Sequence, residues 1–229
     1  MKNNMTPKLI SEKTVELNLT TELTNWLWKR LRAEFVAISP SQREEGRLGF
    51  DVSMQASGFA FFVQYKRAHL HGVKYTYYLN RTSTKDQHAK LLRLEKTGVP
   101  VFYALPLFTT DLDVFTLRRK LLLHTLWLSP SDIPVPNGGV GWHEVHYNSS
   151  TKKFCVSSDD RIEFKPSFYD INALSVLLGR GIHADNLVSS MRLFNELFIG
   201  PTDRAKVKEK EYDDSLATGI SLVATLHSK

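Results

Sequence analysis

The sequence predicts an α/β fold, with a mixed central sheet flanked by helices and a smaller extension of a hairpin and helices after it. Three observations carry that prediction. Residues 20–34, TTELTNWLWKRLRAE, repeat apolar side chains at helical spacing. Residues 50–79 hold short runs rich in Phe, Val and Tyr, separated by turn residues. Residues 99–108, VPVFYALPLF, carry no charge, as a strand buried on both faces requires.

In the first segment Leu23, Trp26, Leu27, Arg30 and Leu31 fall at i, i+3, i+4, i+7 and i+8, and Thr20 or Thr21 can cap the helix. FVAIS (35–39) then reads as a short strand and PSQREEGRLG (40–49) as a turn. FDVSM (50–54) and FAFFVQYKRA (59–68) form a hairpin through QASG (55–58), where Gly58 suits a tight turn. YTYYL (75–79) is a further strand. A helix over residues 85–97 opens with a Thr84 and Gln87 capping box and closes at Gly98. With YTYYL set aside as an additional strand, the order to residue 108 is helix, strand, strand, strand, helix, strand.

Thr110 with Asp113 marks another helix start, running into VFTLRRKLLLHTLWL (114–128). The Pro- and Gly-rich SPSDIPVPNGGVG (129–141) connects it to a hairpin of WHEVHY (142–147) and KFCVSS (153–158), turning through NSST. Helices over 168–179 and 185–199 follow, and from Gly200 the chain becomes charged and alternating. These boundaries divide the chain into a core domain (1–128), a hairpin and helical extension packed on it (129–200), and a charged tail (201–229).

With 229 residues, 42% hydrophobic and 24% charged, the chain is long enough to bury a sizeable core. Its one cysteine, Cys155, cannot build a disulfide framework or a thiolate zinc site. The N-terminal MKNNMTPKLISEKTVELNLT has no apolar stretch of signal-peptide length, and no window approaches the ~18 apolar residues of a membrane span. A cytoplasmic protein without a membrane partner is the expectation. The net charge of +6 is unevenly spread. Residues 1–125 hold 19 Lys and Arg against 11 Asp and Glu (+8), and the remainder holds 11 against 13 (−2). Such an asymmetry suits a polyanionic partner such as nucleic acid, although solvated basic faces are also common.

The hairpin at 50–68 carries polar residues where a buried strand would be apolar. Alternation puts Gln64 and Lys66 on one face with Phe62, and Val63 and Tyr65 on the other. If QASG is the turn, Gln55 faces Gly58 and Asp51 faces Phe62. Gln64 is then the diagonal neighbour of Asp51, roughly 7 Å or less between Cβ atoms. Asp51, Gln64 and Lys66 thus converge on one face. One reading is a structural ion pair of Asp51 with Lys66. The other is a metal site, since a carboxylate and an amide carbonyl are the hard oxygen ligands that Mg²⁺ accepts, with Lys66 placed to activate water or to stabilise charge on a phosphate.

This arrangement resembles the PD-(D/E)xK nuclease superfamily, which includes many restriction and repair enzymes. The likeness covers residues 20 to about 107: the element order, the acid on the second strand, and QYK (64–66) on the third, where Gln64 stands in place of the superfamily's Glu. The resemblance implies a restriction-endonuclease-like core and a Mg²⁺-dependent endonuclease, with Mn²⁺ able to substitute. Asp51, Gln64 and Lys66 would be the catalytic set. The superfamily also adds a Glu from the first helix. Glu22 is the preferred match, Glu45 the main competitor, and Glu34 is less well placed. Asp51, Gln64 and Glu22 would hold the metal, and Arg67, His69, Lys74, Arg81, Lys85 and Gln87 would contact nucleic acid. The resemblance favours DNA over RNA, a role in defence against foreign DNA, and work as a homodimer or as a subunit of a defence complex. The rival reading is a nuclease-fold binding or scaffolding subunit without catalysis, since Gln64 coordinates more weakly than a carboxylate.

Other motifs carry less. HEVH (143–146) lacks the i, i+4 histidine pair of H-E-x-x-H and sits in a strand pattern. His69 and His71 read first as exposed strand histidines and second as help in holding phosphate or metal, and the run Arg118, Arg119 and Lys120 reads first as a solvated helix face and second as contacts to a DNA backbone. G-x-S-x-G, P-loop and G-x-G-x-x-G signatures are absent, so triad hydrolases, P-loop NTPases and dinucleotide enzymes find no support.

Overall fold

A computed structural model of the chain describes residues 6–32, 34–56, 59–80, 86–158, 161–167, 170–174 and 178. All belong to one unit, Met1–Ser190. The expected helix at 185–199 and the charged tail lie outside the described residues.

The first helix, α1 (Glu12–Leu31), is longer than its expected range because the helical spacing starts earlier. Ser11, not Thr20 or Thr21, is the N-cap, its hydroxyl accepting from the Thr14 amide. Val15, Leu19, Leu23 and Leu27 recur every four residues and form the buried stripe. Strand β1 (Val36–Ile38) follows. The segment read as a turn is instead a helix, α2 (Gln42–Leu48). Ser41 and Glu44 form a reciprocal capping box, and Gly49, at φ +87°, closes the helix in the left-handed region.

Strands β2 (Val52–Ala56) and β3 (Phe59–Tyr65) make the expected hairpin two residues out of the expected register. Ala56 pairs with Phe59 and Val52 with Val63, so Asp51 falls opposite Gln64 rather than Phe62. A shift of two keeps every side chain on its face, so the hydrophobic pattern cannot tell the two registers apart. β4 (His69–His71) and β5 (Lys74–Asn80) then leave for a second sheet. Helix α3 (Gln87–Glu95) returns to the first, and Gly98 ends the turn after it at φ +87°. The α3 N-cap is Asp86, without a side-chain cap hydrogen bond; Thr84 of the expected capping box lies outside the described residues. β6 (Val101–Pro106) is buried along its whole length and runs parallel to β3.

The expected long helix after Thr110 is only α4 (Asp111–Thr116), with the Thr110 and Asp113 capping box intact. Beyond it come Arg119 at φ +66°, a 3-10 turn at Leu121–His124, and strand β7 (Thr125–Leu128) antiparallel to β6. All four β7 residues are buried, which a one-striped surface helix could not achieve. β8 (His143–Asn148) and β9 (Lys153–Ser157) form the second expected hairpin, extended by β10 (Arg161–Phe164).

Among the described residues the fold is thus α/β with two five-stranded sheets: β1-β2-β3-β6-β7, mixed, and β10-β9-β8-β5-β4, antiparallel. β5, from residues 1–128, pairs with β8, from residues 129–200. In the mixed sheet, Val52, Met54, Phe61, Val63 and Tyr65 join the core that includes the α1 stripe. Gln64 and Lys66 therefore point to the opposite face, where the neighbouring β6 residue is Tyr103.

Candidate active site

Asp51 sits where α2 gives way to β2, and its amide donates to the Val63 carbonyl at 3.1 Å. Its Oδ2 accepts two hydrogen bonds from β3, from Gln64 Nε2 at 2.8 Å and from the Tyr65 amide at 2.7 Å. Gln64 Nε2 also reaches the Tyr65 carbonyl at 3.2 Å. The amide nitrogen is therefore held by two acceptors. Its partner oxygen, Oε1, is buried with no hydrogen bond, on a residue only 2% exposed. A buried carbonyl left unpartnered costs about 1–3 kcal/mol, so this oxygen calls for a donor or a cation.

Lys66 extends β3 on the same face and is 7% exposed. Its backbone amide donates to the Ala104 carbonyl at 3.1 Å, and its Nζ donates to Gln87 Oε1 at 2.6 Å, with Glu12 Oε1 at 3.8 Å. Gln87 thus spends its side chain on Lys66 at the start of α3. These groups line one cavity of about 860 Å³. Glu12 and Glu16 of α1, Glu45 of α2, and Arg67 and Tyr78 from the path to and along the second sheet complete its walls.

Burial pushes the Asp51 carboxyl up to about 7. Lys66 and the Tyr65 amide oppose the rise, while Glu12 and Glu45 add to it. A carboxyl so placed exchanges a proton near neutrality and gains when a cation takes the proton's place. Among the described residues no three His, Cys, Asp or Glu side chains converge to hold a metal. A cation held by Asp51 would draw on neutral oxygens, of which Gln64 Oε1 is one, as well as on acids.

The structure brings Asp51, Gln64, Lys66, Gln87, Arg67 and the competitor Glu45 together. Glu22, the preferred acid of the sequence reading, is not among them. Glu22 accepts from the Leu121 and Leu122 amides at 3.1 and 3.3 Å, holding the 3-10 turn, and does not line the cavity. Because α1 begins at Ser11, the acids facing the site are Glu12 and Glu16, and Glu22 lies about 15 Å along the axis from Glu12. Glu34 is exposed and also outside the cavity lining. The missed acids were signalled by Ser11 before Glu12 and by the four-residue apolar repeat from Val15. His69 sits one step from the cavity, 3.3 Å from Arg67 and edge-on to Tyr78 at 5.0 Å. Lys74 lines a different, smaller cavity. Arg81 and Lys85 lie outside the described residues. Arg118 stands over the Phe115 ring at 4.9 Å. His143 and His146 are on strand β8, as the HEVH pattern implied.

Comparison with protein-family models, with curated proteins and with solved structures finds no match to this chain.

Proposed function

We propose that the chain is a metal-dependent nuclease that hydrolyses phosphodiester bonds, with a PD-(D/E)xK-like site in which Q-x-K replaces the usual acid. The strand order β1-β2-β3-β6 with β6 parallel to β3, an opening helix and a helix between β3 and β6 support that reading. The observation that carries it is the buried, unpartnered Oε1 of Gln64, the residue whose Nε2 holds the Asp51 carboxylate, with Lys66 on the same face.

Those residues fit a hard divalent cation. Asp51 and Gln64 Oε1 would hold it, with Glu45 or Glu12 available from the walls of the same cavity. Bound there, it would supply a lowered pKa for a bound water and charge neutralisation at a scissile phosphate. Gln64 Nε2 and the Tyr65 amide orient the Asp51 carboxylate. Gln87 and Glu12 hold the Lys66 ammonium, which stabilises negative charge on the phosphate as it develops. DNA as the substrate, a defence role and a homodimeric or complexed state come from family analogy alone.

Plasmid DNA incubated with the protein and Mg²⁺ or Mn²⁺ tests the proposal, beside an EDTA control and the Asp51→Ala and Lys66→Ala variants. Metal-dependent nicking lost in both variants is expected. Nicking that survives in both would overturn the site, and tight DNA binding without nicking would favour the binding-subunit reading.

A further inference from the structure

The second sheet has one apolar and one polar face. Tyr75 and Tyr77 of β5 turn inward, their hydroxyls donating to the Leu107 and Pro106 carbonyls at 3.2 and 2.7 Å. Alternation sends Lys74, Thr76 and Tyr78 to the other side. Register carries that face across the sheet. Lys74 pairs with Asn148, which pairs with Lys153; Tyr78 pairs with Glu144, which pairs with Ser157, and Ser157 with Arg161. At its centre His146 is 5% exposed, with Nδ1 3.0 Å from Thr76 Oγ1 and Nε2 2.9 Å from Ser157 Oγ.

A cavity of about 240 Å³ opens on this face, with Lys74, Lys153 and Arg161 around His146. Two acids share the face. Glu163 pairs with Lys153 at 3.1 Å on exposed surface, and Glu144 lies 3.5 Å from His146. Lys74 and Arg161 have no salt bridge among the described residues, and after burial their charges are the causes that push His146 down to about 4. The cavity is therefore electropositive and rich in hydrogen-bonding groups.

The polar face also reaches the candidate active site. Tyr78 and Arg67 line the large cavity, and His69 touches both. From β4 to β10 the face spans about 19 Å, four strand spacings. That length accommodates about five nucleotide steps at ~3.4 Å per strand.

We propose that this face is a phosphodiester track, on which Lys74 and Arg161 bind backbone phosphates of the nucleic acid whose cleavage site lies in the large cavity. The proposal rests on the nuclease reading above for its substrate. It adds a second, non-catalytic binding site on a different sheet.

The test measures binding in EDTA, where metal-dependent cleavage is blocked, to labelled duplex DNA, single-stranded DNA and RNA over a range of salt. The wild type is compared with Lys74→Ala/Arg161→Ala and with the charge-keeping Lys74→Arg/Arg161→Lys. Thermal unfolding confirms that each variant is folded. The alanine pair is expected to weaken binding at least about tenfold and to reduce the salt slope by about 1.4–1.8, two phosphate contacts' worth. The charge-keeping pair should bind close to wild type, and the arm with the largest effect identifies the nucleic acid. Unchanged affinity and slope in the alanine pair, or no binding by the wild type, would overturn the track. Cleavage with Mg²⁺ is scored separately. Cutting with unaltered binding removes the track and leaves the site standing, whereas track-dependent binding without cutting does the reverse.

Discussion

Gln64 donates one amide hydrogen to Asp51 at 2.8 Å while its carbonyl oxygen stays buried and unpartnered. The residue that orients the carboxylate also carries the unpartnered oxygen. This arrangement costs the fold stability and suits a site that binds a cation, a trade common where function and stability compete.

The first consequence concerns Asp51 itself. Its folded pKa is raised, to about 7, above the ordinary carboxylate value. Folding therefore favours the protonated form, and this group's stabilising contribution is lost as pH rises from about 4 through about 7. Asp51→Asn keeps the shape without the charge. In metal-free buffer it should be more stable than wild type by about 2 kcal/mol near pH 8, with the gain disappearing near pH 4. Denaturant unfolding at the two pH values checks this, and an equal gain at both would refute the burial argument.

Gln64→Glu introduces the acid that the resembled superfamily carries at this position. It sets a second carboxylate against Asp51 and removes the amide donor. Without metal near pH 8 the variant should lose about 2–3 kcal/mol of stability. Saturating Mg²⁺ should recover that loss by binding only the folded state. Metal titrations followed by unfolding midpoints would show a larger Mg²⁺ shift for the variant than for wild type; a smaller one would count against Gln64 as a ligand position.

Glu22 and Glu12 separate structure from chemistry. Glu22→Gln weakens two bonds to the Leu121 and Leu122 amides and should cost about 1–2 kcal/mol while leaving the cleavage rate of folded protein unchanged. Glu12→Gln sits at the cavity beside Lys66, 3.8 Å away, and should change stability by less than about 1 kcal/mol while slowing cleavage about tenfold or more. Paired measurements of unfolding and single-turnover rate decide it, and a reversed pattern would reinstate Glu22.

His88 tests the support behind Gln87. It is fully buried, its Nδ1 lies 2.9 Å from the Tyr103 hydroxyl, and burial, followed by His143 and Lys66, pushes it down to about 3. A histidine with a depressed folded pKa stabilises fully above its unfolded value, and that stability drains away as pH falls from about 6.5 toward about 3. His88→Gln removes the titrating group. The stability advantage of wild type over this variant should shrink by a few kcal/mol between about pH 7 and pH 4. Asp51 titrates in both proteins, so its opposite slope cancels in the difference. A constant difference across that range would contradict the assignment.

Much of this was legible in the residues. Alternation in FAFFVQYKRA placed Gln64 and Lys66 on one face, and the charge-free VPVFYALPLF marked the buried strand that runs parallel to β3. Faces were readable because burial penalises a one-residue slip. The two-residue register shift was not, because it leaves burial unchanged, and it is what puts Asp51 directly against Gln64. α2 was hidden by polarity, although Ser41, Glu44 and Gly49 carry the chemistry of both its ends. A helix starting at Thr20 puts Glu22 in its first turn, whereas the four-residue repeat from Val15 points back to Ser11 as the cap and so to Glu12 and Glu16. β7 was not legible because LLLHTLWL, apolar but for His124 and Thr125, suits a helical and a strand period alike.

The central claim is that Asp51 and its neighbours cut a phosphodiester bond with a divalent cation. It is tested most directly by single-turnover cleavage of a labelled oligonucleotide duplex, comparing wild type with Asp51→Asn in Mg²⁺ and in EDTA. The account predicts Mg²⁺-dependent cleavage by wild type and a fall of at least about 100-fold in Asp51→Asn, a protein expected to be as stable or more so. Equal cleavage by the two proteins, or none by wild type in Mg²⁺ or Mn²⁺, would contradict it.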